Sequence, residues 1–227
     1  MSMPFYVPPE QLTKDRADFA RKGIARGRPI IVIEYTDGVL LIGENPSGSL
    51  HKTSEIYDRI AFAGVGRFNE FEMLRVAGIR YADLKGYSYE RADVTAKGLA
   101  NAYAQTLGQI FTHEMKPYEI EVMIAEVGAE SGTTEIYRIQ YDGTLRDVRG
   151  SGAMGGMEDA LTERLESALE GIPDLATAVR VATEAIEAVL EAEVAANDWE
   201  AAVLDRTLGR RKFRRLTADE ITTFRTP

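Results

Sequence analysis

Residues 28–42 read Arg-Pro-Ile-Ile-Val-Ile-Glu-Tyr-Thr-Asp-Gly-Val-Leu-Leu-Ile. Two short apolar runs, Ile30 to Tyr35 and Val39 to Ile42, flank Thr36-Asp37-Gly38. An Asp-Gly step between β-rich runs is a strong hairpin signal, because the tight turns that match strand twist need a residue tolerant of positive φ. Arg28 and Pro29 stand immediately ahead of the first strand.

Toward the N-terminus, Glu10 to Lys22 reads as a helix closed by Gly23 and Gly27. Its apolar stripe is sparse (Leu12, Phe19, Ile24), with charge on nearly every other position. Such a helix gains little from a core of its own and needs a docking surface, for which a neighbouring subunit would serve. Ahead of it lies an apolar tip, Met1 to Val7, ended by Pro8-Pro9.

Toward the C-terminus, Ile56 to Val65 reads as further strand, and Phe68 to Arg80 and Asp93 to Phe111 as helices. After Lys116-Pro117 the period switches: Ile120, Val122 and Ile124 alternate with Glu119, Glu121 and Met123. Ile136 to Tyr141 repeats the strand pattern, followed by an Asp142-Gly143 turn. Met157 to Leu169 and Asp174 to Val194 are two more helices, separated by Gly171-Ile172-Pro173. Glu200 to Leu204 and Lys212 to Leu216 are late strands, and Thr217 to Phe224 a short last helix. Hairpin-linked strands alternating with helix pairs imply antiparallel sheets covered by helices, not a doubly wound parallel sheet.

The 227 residues carry no linker-like tract or block of like charge, so one large domain is expected. With no cysteine, a thiol nucleophile, a thiolate metal site and a disulfide framework are excluded, which fits a reducing cytoplasm. A net charge of −9 argues against nucleic acid. The exception is the basic cluster Arg206, Arg210, Arg211, Lys212, Arg214 and Arg215, read as a solvated strand edge or a subunit contact. Met1 to Lys22 has no apolar signal-like core, and no apolar run approaches the ~20 residues that span a bilayer, so no membrane partner is expected.

No site chemistry emerges from the motifs. His51 and His113 stand far apart without partners at ligand spacing, so no metal or cofactor is expected. The glycine-rich stretch at Gly150-Ser151-Gly152 and Gly155-Gly156 lacks a Walker lysine and reads as tight strand-to-helix packing. A serine triad would need one of the two histidines, and neither lies near a nucleophile elbow. An N-terminal nucleophile would follow self-cleavage after glycine. The candidates, Gly48-Ser49, Gly132-Thr133, Gly143-Thr144 and Gly150-Ser151, do not open a strand behind a removable leader. Glu184, Glu187, Glu191 and Glu193 read as a solvated helix face.

Many short blocks resemble actinobacterial 20S proteasome α-type subunits, of the N-terminal nucleophile hydrolase fold. They are Ala20 to Gly27, Asp37 to Leu40, Glu44 to Ser47, Lys52, Ser54-Glu55, Tyr57 to Arg59, Phe68 to Phe71, Gly86 to Tyr89, Asp93 to Thr95 and Leu99 to Asn101. Tyr103 to Gly108, Ile110 to Thr112, Lys116 to Glu119, Tyr137 to Ile139, Tyr141 to Gly143, Met154 to Gly156 and Phe213 to Arg215 complete the resemblance. It implies an α+β fold: a four-layer α/β/β/α sandwich of two antiparallel sheets flanked by helices, with an extra N-terminal helix. Catalytic β relatives open the first strand with Thr, where Arg28 stands here. Glu44 falls near the acidic position of the β-type site and Arg59 near its essential Lys, and the β-type Gly-Ser-Gly maps to Gly155-Gly156-Met157. Catalysis by this chain is therefore not expected. The alternative is a self-processing threonine protease of the β-type or HslV-like class.

The resemblance implies assembly and gating instead. Residues 1–8 (Met1, Ser2, Met3, Pro4, Phe5, Tyr6, Val7, Pro8) would form a flexible gate segment, and residues 9–227 the sandwich domain. Residues 9–22 would be an inter-subunit helix presenting Glu10, Leu12, Asp15, Arg16, Phe19 and Lys22. Lys52 matches the pocket lysine that receives an activator's C-terminal carboxylate. The implied partners are further copies in a seven-membered ring, a proteasome β subunit, a hexameric AAA ATPase activator of the ARC/Mpa type, and protein substrates in transit that carry a ubiquitin-like tag. Many members carry a long acidic C-terminal tail; this sequence ends at Pro227, so no tail-dependent regulation is expected.

Overall fold

The computed structural model describes residues 8–128 and 133–226. The expected hairpin forms, but Gly38 opens the second strand and is not a turn residue, and neither it nor Thr36 or Asp37 has a positive φ. Strands β1 (Ile30–Tyr35) and β2 (Gly38–Glu44) pair antiparallel, Ile31 opposite Ile42 and Tyr35 opposite Gly38, leaving Thr36-Asp37 as the turn. Gly38 is required there: a Cβ would lie 1.8 Å from the Leu204 carbonyl oxygen. Both faces of the hairpin are buried, which explains unbroken apolar runs in place of alternation. Ile31, Ile33, Leu40 and Ile42 enter one core and Ile30, Val32, Val39 and Leu41 another.

The other strands are β3 (Thr53–Tyr57), β4 (Ile60–Gly66), β5 (Ile120–Val127), β6 (Thr134–Ile139), β7 (Leu145–Val148), β8 (Ser151–Met154), β9 (Trp199–Asp205) and β10 (Phe213–Arg215). The helices are α1 (Pro9–Ala25), α2 (Phe68–Ser88), α3 (Ala96–His113), α4 (Glu158–Ala168), α5 (Leu175–Leu190) and α6 (Ala218–Arg225). One five-stranded sheet runs β10-β9-β2-β1-β8 and the other β3-β4-β5-β6-β7, with every described strand pair antiparallel.

The first sheet is covered by α4, α5 and α6, and the second by α2 and α3. Between the sheets, Val32 and Leu41 share a core with Ala63, Met123, Ala125 and Ala202. This is the expected four-layer sandwich with an added N-terminal helix. Helices α3 and α5 start on side-chain caps: Thr95 accepts from the Gly98 N–H and Asp174 from the Thr177 N–H, each meeting an otherwise orphaned helix donor.

Four expectations are corrected. The first helix is not closed at Gly23 but runs through it to Ala25. Ile56 to Val65 is not one strand; Asp58-Arg59 turns the chain between β3 and β4. The helix begun at Phe68 continues to Ser88. Gly150 to Gly156 is not wholly a strand-to-helix loop, because Ser151–Met154 forms β8, an edge strand paired to β1.

Candidate functional site

Two residues ahead of β1 stands Arg28, a guanidinium and not a hydroxyl. Gly27 N–H donates to the Ile24 carbonyl (2.8 Å), tying the end of α1 to the approach to β1, and Arg28 forms a close ion pair with Glu44 at the end of β2. Gly155-Gly156-Met157 passes alongside, with the Gly156 N–H donating to the Gly27 carbonyl (2.9 Å). Gly155 has φ +100°, and a Cβ there would stand 3.2 Å from Pro29 Cα, so that close approach needs glycine.

The cation that reaches this place is Lys52, not Arg59. Lys52 Nζ donates to the carbonyls of Arg28 and Glu44, both at 3.1 Å. Arg59 lies in the β3–β4 turn, its Nε donating to Glu126 Oε1 (2.6 Å) and its Nη2 to the Ala92 carbonyl (3.0 Å). The reason is strand geometry: β3 separates the two residues, and its five residues carry the chain roughly 17 Å.

Beneath Lys52 sits a carboxylate that the sequence reading missed. Glu200 on β9 is buried. Its Oε1 accepts from the Thr53 N–H (2.9 Å), Thr53 Oγ1 (2.6 Å) and Arg215 Nη1 (3.2 Å). Its Oε2 accepts from the Lys52 N–H (3.1 Å) and from Asn45 Nδ2. Burial acts to raise the Glu200 carboxyl, but hydrogen bonds from Thr53, Lys52 and Asn45 outweigh it and hold the group below its ordinary value. The available signal was one acidic residue in the otherwise apolar run Trp199-Glu-Ala-Ala-Val-Leu204.

Lys52 lines a cleft of about 180 Å³ together with Arg28, Ser47, Leu50 and, from α2, Phe68 and Phe71. Burial pushes the Lys52 amine down to about 8, opposed by the Glu200 charge and reinforced by Arg28. The side chain thus presents an amine at the wall of a cleft, seated on main-chain oxygens. An ammonium has three protons, so one is left for a ligand once two are given to carbonyls.

Residues 9–22 divide between solvent and the subunit's own body. Glu10, Leu12, Asp15 and Lys22 are exposed, and Asp15 accepts from Gln11 Nε2 (2.6 Å). Arg16 turns inward: it donates to the Ile110 carbonyl (3.3 Å) and the Glu114 carbonyl and stands over the Phe111 ring. Phe19 is 43% exposed, with the Lys116 ammonium 5.7 Å from its ring centroid. Ala20 and Ile24 anchor the helix against the sandwich. Pro8 is exposed and its carbonyl accepts from the Leu12 N–H (3.1 Å); Met1 to Val7 lie outside the described residues.

Of the two histidines, only His51 borders the site. His51 stands 3.8 Å from Glu200 and His113 lies against the Gln109 carbonyl at the end of α3. Among the described residues, no group of three or more acidic, histidine or cysteine side chains could hold a metal, and no helix is long and apolar enough to cross a membrane. The basic cluster is engaged within the chain, with Arg211 on Glu55, Arg214 on Glu220 and Arg215 on Glu200.

Residues 24–204 match the family described as proteasome subunit. A proteasome subunit alpha of Kineococcus radiotolerans is 57% identical over 96% of this chain and 95% of its own length. Those of Thermomonospora curvata (54% identical, 97% and 96% covered) and Xylanimonas cellulosilytica (57% identical, 98% and 95% covered) are similar over comparable spans. With Arg28 in place of a nucleophile at the start of β1 and full-length similarity to α-type members, the chain belongs to the proteasome subunit family, on its non-catalytic α-type side.

Proposed function

We propose that this chain builds the gated α ring of a proteasome core in the cytoplasm. Seven copies stack on a ring of catalytic β subunits, and Lys52 receives the terminal carboxylate of an ATPase activator that delivers tagged proteins. The observation that carries the docking role is the Lys52 cleft: its amine is held by two carbonyls at 3.1 Å and lines an open space beside the Arg28 guanidinium. A carboxylate entering there gains a charge-assisted hydrogen bond and a second positive neighbour. The long resemblance to α-type subunits supports ring assembly. The sparse apolar face of α1 supports a role between neighbours, since Leu12 and Phe19 stay exposed in the single chain.

Lys52→Ala tests the docking role. Losing one charged hydrogen bond costs about 1.5–3 kcal/mol, so activator affinity should fall roughly 10- to 150-fold per engaged site. Native mass spectrometry should show the ring with its β partner intact. Undiminished docking on an intact ring refutes the assignment of Lys52.

A further inference from the structure

We propose that the Lys52 amine is also an acyl-acceptor site, modified by small acyl phosphates. Three observations place the chemistry. An uncharged amine has two protons and one lone pair. Here the carbonyls of Arg28 and Glu44 take the two protons, each at 3.1 Å, which leaves the lone pair free, and Lys52 lines a cleft. The cleft, about 180 Å³, admits a small acyl group. The Arg28 guanidinium beside it is 47% exposed, a group suited to the phosphate end of the donor.

Two charged groups act on this amine, Glu200 on β9 and Arg28 ahead of β1. Around them, Glu44 at the end of β2 pairs with Arg28, and His51 of the preceding loop and Arg215 of β10 stand beside Glu200. From α2 only the rings of Phe68 and Phe71 line the cleft. Those apolar walls and the burial that lowers the amine act together to keep it uncharged for a larger part of the time.

In the reaction the nitrogen lone pair adds to the acyl carbon. The bond from that carbon to the phosphate oxygen breaks, inorganic phosphate leaves with the electron pair, and one amine proton passes to solvent, giving a neutral amide. The amide has no charge to offer a carboxylate. Acylation would therefore close the site to an activator, a consequence that rests on the docking role proposed above.

Lowering a lysine from 10.5 to about 8 raises its uncharged fraction near neutral pH roughly 300-fold and lowers its nucleophilicity roughly 10- to 20-fold, a net gain of about twentyfold. The test treats the full chain, assembled with its β partner, with acetyl phosphate over a pH series, and follows each lysine by peptide mass spectrometry. Lys97 of α3, which is exposed, is the internal reference. Acetylation about twentyfold faster at Lys52 near neutral pH, levelling off above about pH 8, is the expected result. Equal rates at the two lysines, or an unlabelled Lys52, overturn the proposal. Selective acetylation of Lys52 with activator binding unchanged upholds the acceptor site and overturns the docking role instead.

Discussion

An amine lowered by burial leaves a signature in stability as well as in reactivity. Between about 8, where folded Lys52 titrates, and its ordinary 10.5, the unfolded chain binds a proton that the folded chain has released. The unfolded state binds more protons in that window, so the Lys52 contribution to stability rises with pH across it and is flat below it. Lys52→Met removes the titration and keeps most of the volume. Urea midpoints of wild type minus Lys52→Met should climb from about pH 8 to about pH 10.5; a difference without slope there would show that the amine is not desolvated. Glu200 teaches a related lesson. Its carboxylate survives burial because five donors from Asn45, Lys52, Thr53 and Arg215 converge on it.

Helix α1 depends on one residue without a side chain. At Gly23 a Cβ would meet Glu119 Oε1, Cγ and Cβ at 2.3, 2.6 and 2.7 Å, and Glu119 is buried and held by Arg67 and by Lys116 (3.0 Å). Alanine is favoured over glycine in a helix by about 1 kcal/mol, but forcing this contact costs roughly 1–3 kcal/mol. Gly23→Ala should therefore lower the denaturation midpoint, whereas a raised one would mean that the clash is relieved for free. At this scale the sequence was readable where the pattern is local. The β1–β2 hairpin, the period-two run of β5 and the α5 helix all announce themselves, because burial on defined faces fixes their residues. Strands β7 and β8 did not, since each is a sheet edge of four residues and Leu145-Arg-Asp-Val148 is largely exposed. The site was half legible: Lys52 came through the family resemblance, while Asn45, Thr53, Glu200 and Arg215 meet only after folding. Arg59 misled because one short strand displaces it from the start of β1.

For the whole molecule, the three buried clusters among the described residues are complete without a partner, whereas the outer half of α1 is not. Residues 8–15 are exposed throughout, Leu12 at 51%. The sandwich should thus fold as a single chain, while the first turns of α1 await a neighbour. Deleting residues 1–7 removes no residue of α1 or of the ten strands, so the shortened chain is expected still to assemble with its β partner. If those residues close the pore, peptide hydrolysis by that assembly should rise at least several-fold over the intact particle. An unchanged rate, with assembly verified by native mass spectrometry, would end the gate assignment.

The two oxygens that seat Lys52 belong to the polypeptide itself, not to any side chain. A lineage is therefore free to exchange Arg28 or Glu44, retuning local charge to suit a different visitor, without unmooring the amine. Anchorage is inherited with the backbone trace, and selectivity is left open to drift.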